Sequence, residues 1–283
     1  MLAVVGTVPE ADFPLICGRA SFRASGLMVE GRHVDIDRGT PALLATACLM
    51  LQALGQETPL ACLAGDTGLG HGSRRLYGYW ADHLSDYPLG SMVFHYLQPD
   101  VDGHGRVLSA VEELRSRPRL IADAGFMYAA KMSGQSPEYD LFTPDAGELA
   151  FLADEKAPHP FYTRGFILSE ENEVPFLITR AYTHENAARY LLVKGQRDYV
   201  ADSSGILASV AHPASRCMEA VGGTGDTLTG VVSSLIASGM DIPRSAELAA
   251  RINRMAGVMS RPTPASRIRD IIPFLERGYM ELE

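Results

Sequence analysis

Short, nearly continuous apolar runs alternate along this chain with longer stretches of helical period. Apolar runs of roughly four to eight residues bounded by Gly, Pro or Asp read as buried strands, and apolar positions recurring at i, i+3, i+4 and i+7 read as amphipathic helices. On that basis strands are predicted at LAVVGTV, LACLAG, SMVFHYL, RLIADAG, DLFTP, PFLITR, YLLVKG, DYVAD and GILASV. Helices are predicted at 41–54, 73–84, 105–116, 145–153, 184–188, 226–238 and 243–259. This alternation specifies β/α units on a mostly parallel sheet, an α/β fold with helices flanking the sheet. No repeat, low-complexity tract or long linker divides residues 1–283, so a single domain is expected. The segment 154–176, with three prolines and mixed charge, reads as a loop over a site or a surface excursion.

The clearest helix is 226–238. Leu228, Val231, Val232, Leu235 and Ile236 form one apolar face, and Gly239 stops it. The next helix opens after Asp241 with Pro243 in its first turn and carries Ala249, Ile252, Ala256 and Met259 on its inner face. Two adjacent amphipathic helices make a rigid base for the turn before them.

That turn is GGTGD, with glycines at 222, 223 and 225 and a carboxylate at Asp226. A helix N-terminus offers about four unpaired N–H groups and a partial positive charge. Bare glycines leave those donors open to a ligand, so Gly222, Gly223, Thr224 and Gly225 suit a phosphate. The same dipole keeps Asp226 ionised and able to accept a proton. Asp226 is therefore the candidate catalytic base; the simpler reading is an Asp at a helix start after a flexible turn.

Three further stretches bear on this turn. TPDAGE sets Asp145 and Glu148 three apart at a helix start, where they can hold Mg²⁺ beside phosphates or close a capping box. YLLVKG ends a strand with Lys194, within reach of a nucleotide phosphate or simply solvated. LIADAG leaves Asp123 at a strand terminus, a position that turn chemistry alone also explains. His95 and His104 flank YLQPDVDG and can line a pocket or sit in the core or at the surface.

Composition narrows the class. Net charge of −9 argues against a general nucleic-acid binder. The longest apolar run, PALLATACLMLQALG, is shorter than the roughly 20 residues that span a bilayer, so no membrane partner is expected. The scattered cysteines Cys17, Cys48, Cys62 and Cys217 and the unsignal-like N-terminus fit a reduced, cytoplasmic setting. Only three lysines occur and none follows a glycine, which excludes a P-loop. HENAARY lacks the second histidine of a zinc protease, and neither a hydrolase G-x-S-x-G nor a dinucleotide G-x-G-x-x-G is present.

The ordered set IADAG, TPDAGE, LVKG and GGTGDTLTG, followed by AELAARINRMAG, resembles the ribokinase-like superfamily, and within it the ATP/ADP-dependent NAD(P)H-hydrate dehydratases. The resemblance covers roughly 119–260. It implies ATP or ADP and Mg²⁺ as cofactors, Asp226 as base, the 223–225 amides as anion hole, Glu148 at the metal and Lys194 near the nucleotide. The implied reaction phosphorylates the hydroxyl of hydrated NAD(P)H and expels phosphate. Asp145 stands where that family has His or Asn, and Gly125 where it has a second Asp. The first third instead resembles sugar kinases, in RGTPALLATACLMLQALG and AGDTGLGHGSRRLYGYW, with Leu44 near the place of a substrate-binding Asn. Expected partners are a small-molecule substrate and a nucleotide, with a homo-oligomer possible in principle. A kinase for a small hydroxylated metabolite and an inactive nucleotide-binding regulator stand as alternatives.

Overall fold

The computed structural model describes residues 1–23, 26–160, 163 and 174–282. Its eleven strands, among the described residues, form one sheet in the order β11-β10-β9-β8-β7-β6-β1-β5-β2-β3-β4. The strands are β1 (Leu2–Val8), β2 (Ile16–Arg23), β3 (Gly26–Val29), β4 (Arg32–Val34), β5 (Leu60–Gly65), β6 (Ser91–His95), β7 (Arg119–Ala122), β8 (Leu141–Phe142), β9 (Tyr190–Val193), β10 (Asp198–Asp202) and β11 (Gly205–Val210). From β5 through β1, β6, β7 and β8 to β9 every pairing is parallel. Antiparallel strands close both edges, β2–β4 beyond β5 and β10–β11 beyond β9.

Two apolar layers cover the sheet. On one face lie α1 (Thr40–Ala53), α7 (Thr224–Ala237), α8 (Ile242–Met259) and α10 (Pro273–Met280), with Leu43, Val231, Ala249 and Leu275 fully buried. On the other lie α2 (His71–His83), α3 (Val101–Glu112), α4 (Gly125–Met132), α5 (Ala146–Ala153) and α6 (Val174–Thr183), around Trp80, Phe94, Phe126 and Phe142. A short α9 (Ile268–Ile271) precedes α10. The central parallel strands are buried on both faces, which is why they read as unbroken apolar runs.

Two expectations fail. PFLITR is not a strand: it lies inside α6, where Leu177, Ile178 and Ala181 are buried at i, i+1 and i+4 and Phe176 and Thr179 are exposed. An apolar run of that length does not by itself separate a strand from a buried helix face. The helix expected at 184–188 is the turn and loop that follow α6, with Glu185 in a left-handed conformation. The edge strands β2–β4 and helix α4 are not evident from the sequence, because short antiparallel edges and an eight-residue helix carry weak periodicity. Most of the 154–176 segment lies outside the described residues.

The helices α1 and α7 bring two N-termini to the same point. They pack closely because Gly230 has no side chain: a Cβ there would lie 2.7 Å from the Leu43 carbonyl and 2.8 Å from Thr46 Cβ. Their N-termini face the crevice beyond the carboxyl ends of the parallel strands, the usual ligand position in open α/β sheets.

Candidate active site

The crevice is a cleft of about 830 Å³, lined by the ends of β6, β7 and β9, the 211–219 loop and the start of α7. Gly223 caps α7 in a left-handed conformation, φ 101°, which strains any residue with a side chain. No side chain caps this end. The amides of residues 222–226 have no acceptor among the described residues and point donors and helix dipole at the cleft. Asn253 of α8 braces the turn, accepting from Thr227 Oγ1 at 2.8 Å and donating to the Thr224 carbonyl at 3.1 Å.

Asp226 is only 7% exposed. Its Oδ2 accepts from the Gly39 amide at 2.5 Å, the amide that opens α1, and its Oδ1 lies 3.1 Å from His95 Nε2. Burial alone pushes this carboxyl up, but the His95 contact, Lys194 and the Gly39 amide together hold it below the usual carboxylate range. It is therefore ionised and oriented at neutral pH.

Asp123 forms a second buried anchor, 1% exposed. Lys194 Nζ donates to both its oxygens at 2.8 and 3.0 Å, Thr229 Oγ1 donates at 2.6 Å, and the Ala124 amide donates at 2.8 Å. Burial would lower the Lys194 ammonium, but Asp123 and Glu148 hold it well above the usual lysine range. Lys194 thus lines the cleft with its charge on Asp123. Ala124 (φ 51°) and Tyr96 (φ 53°) both hold left-handed backbone in the lining, a cost that proteins tend to retain at functional sites.

Asp145 and Glu148 close a reciprocal capping box: the Glu148 amide donates to Asp145 Oδ1 and the Asp145 amide to Glu148 Oε2, each at 2.8 Å. Among the described residues no three His, Cys, Asp or Glu side chains are grouped to hold a metal. The box leaves one oxygen of each carboxylate free at the cleft wall. Burial, with Asp123 and Asp145 nearby, raises the Glu148 carboxyl to about 8 against the pull of Lys194.

The cleft lining includes the residues that the sequence offered as site candidates: the 222–226 turn with Asp226, Lys194, Asp145 and Glu148. It left His95 open between pocket and core; the ring is fully buried against Asp226. His104 is a core residue, bonded to Tyr139 and Ser133, and burial lowers it to about 4. Leu44 is fully buried in α1, so its position offers no polar group to a substrate. Cleft cations divide in two. Lys194 and Arg254 are tied to Asp123 and Asp198, whereas Arg38 and Arg216 make no ion pair among the described residues.

The sheet order and the glycine turn at its carboxyl end define a ribokinase-like α/β fold. Escherichia coli phosphofructokinase-2, solved in complex with fructose-6-phosphate, shares it, with a TM-score of 0.54, 16% identity, and coverage of 98% of this chain and 99% of that one. Residues 103–266 match the NAD(P)H-hydrate dehydratase family, and the chain belongs to it. An uncharacterised protein of Methanocaldococcus jannaschii is 42% identical over 209 residues, 74% of this chain and 85% of the relative. The ADP-dependent (S)-NAD(P)H-hydrate dehydratase of Cenarchaeum symbiosum is 29% identical over 174 residues, 58% of this chain and 54% of that one.

Proposed function

We propose that the protein is a nucleotide-dependent NAD(P)H-hydrate dehydratase, using ATP or ADP. The observation that carries the reading is Asp226, ionised although buried, beside a row of unpaired amides on one helix turn. The carboxylate takes the proton of the substrate hydroxyl, and the amides of Gly223–Gly225 stabilise the phosphoryl group it attacks. Such chemistry is mostly positioning and charge stabilisation. Arg38 and Arg216 supply unpaired positive charge for a polyphosphate. The donors fit Mg²⁺, which commonly keeps several waters and uses one or two carboxylates beside phosphates. Asp145 and Glu148 would hold it through the oxygens outside the capping box, and bound there it would neutralise phosphate charge.

A second reading, a kinase for a small hydroxylated metabolite, is favoured by one fact. Gly39 and His95, which contact Asp226, and Thr40, which contacts His95, all precede residue 103, where the family match begins. The test is recovery of NADH absorbance from hydrated NADH with ATP or ADP, run beside ATP-consumption screens on vitamins and sugars. NADH recovery supports the dehydratase; ATP consumption with a sugar or vitamin alone supports the kinase. Nucleotide binding without either turnover supports a regulator.

A further inference from the structure

The His95 ring is a buried titratable group that the reaction above does not use. It ends β6, is 0% exposed, and fills the space between two carboxylates. Nε2 lies 3.1 Å from Asp226 Oδ1 and 3.6 Å from Asp123 Oδ2. Nδ1 lies 3.1 Å from Thr40 Oγ1. The other groups facing this cluster are Lys194, the Thr229 hydroxyl and the Ala124 amide on Asp123, the Gly39 amide on Asp226, and the Tyr96 ring, edge-on to the imidazole at 4.5 Å between centroids.

We infer that His95 is the positioning residue of Asp226: its Nε2–H holds the carboxylate plane toward the cleft, and Thr40 holds the ring. An ionised carboxylate only accepts, so the nitrogen facing it carries the proton. Thr40 Oγ1 can donate to Nδ1, or turn to the His95 carbonyl at 3.4 Å and accept from Nδ1 instead. Either arrangement gives Nδ1 a partner, so no buried polar atom of the ring is left unpaired, a cost that such sites otherwise bear. With Gly39 on the other oxygen, Asp226 is gripped from two elements. A base held this way has its free lone pairs aimed at one place, where a substrate hydroxyl must lie.

The inference rests on the proposed reaction only for its turnover arm. In the first arm, ¹⁵N signals of the His95 ring are read in ligand-free wild-type protein at neutral pH. A protonated Nε2 is expected; an unprotonated Nε2 overturns the inference. Next, the Asp226 carboxyl is titrated by ¹³C NMR in wild type, His95→Gln and His95→Phe. Its midpoint should rise in His95→Phe and be partly restored by the Gln amide; an unmoved midpoint in folded His95→Phe overturns the inference. If His95→Phe fails to fold, His95→Gln and the wild-type ring signal still decide. In the turnover arm, His95→Phe should lower kcat between about 10²- and 10⁴-fold with nucleotide KM little changed, and His95→Gln should recover part of it. Should wild type leave hydrated NADH untouched, the dehydratase reading fails while the two NMR arms still judge His95.

Discussion

Replacing Asp226 with Asn removes the proposed base and nothing larger than a charge. The structure sets the size of the effect. Both carboxylate oxygens accept a hydrogen bond, one from the Gly39 amide and one at His95 Nε2. Asn has a single acceptor. The Gly39 donor is fixed backbone, so the Asn oxygen must face it and the Asn NH₂ must face His95. The imidazole can adapt by moving its proton to Nδ1, against Thr40 Oγ1. Two bonds to a charged group then become neutral, a loss of about 1–3 kcal/mol in total, offset in part because a buried charge disappears. Tm should fall by roughly 2–10 °C. Turnover should fall about 10²- to 10⁴-fold, the worth of general base catalysis. Nucleotide affinity should hold or rise, since a negative charge beside the phosphates is gone. Paired calorimetry with ADP or ATP and steady-state rates on hydrated NADH separate these effects. Equal rates in the two proteins would remove Asp226 from the mechanism. A parallel loss of binding would show that the substitution broke the turn rather than the base.

Three other outcomes test the surroundings. Glu148 binds a proton more tightly in the folded chain than its ordinary value of 4.5, near 8, so its contribution to stability is present at low pH and lost as pH rises from about 4.5 to about 8. Thermal melts of Glu148→Gln should lack that loss, and Mg²⁺ should offset it in wild type while leaving the variant's profile unchanged; identical pH profiles leave only the cap. Gly225→Val should fold, because its Cβ would lie 3.4 Å from Lys194 Cδ in ordinary contact and its backbone is not left-handed, yet it should abolish nucleotide-induced thermal shifts by covering the amides. Arg254→Ala should cost about 3–5 kcal/mol in denaturant melts, because it leaves the buried Asp198 without its cation, held only by the Gly195 amide, and frees the carbonyls of Gly195, Gln196 and Ala211; a loss under 1 kcal/mol would refute that account.

The alternation of apolar runs with helical periods is enough to read the parallel core and the two helices behind the glycine turn. Those elements bury one continuous face, and periodicity reports a buried face directly. Helix α6 reads as a strand because VPFLITR is apolar on too many sides for a short window to show its period. The GGTGD turn is legible because its chemistry is local: glycine, amides and carboxylate lie within five residues. The strand end places Lys194 on the cleft but does not disclose its partner. Asp123 lies 71 residues away and meets it only because β7 and β9 flank β8 in the sheet. The capping box at Asp145 and Glu148, an alternative to a metal site in the sequence, is formed.

His95 shows why part of the site stays invisible at the level of motif. Asp226 is separated from Gly39 by 187 residues and from His95 by 131, and neither partner carries a pattern of its own. They meet because β6 and β1 are adjacent and because Gly230 lets α1 and α7 approach. This arrangement also weighs against a protein that only binds nucleotide. Phosphate recognition needs the open amides of the turn, but a carboxylate beside them repels the ligand. Holding that carboxylate ionised against burial takes a backbone amide, an imidazole and a nearby ammonium. A binding module gains nothing from such an arrangement, whereas a base that must remove a proton beside a phosphoryl group requires it.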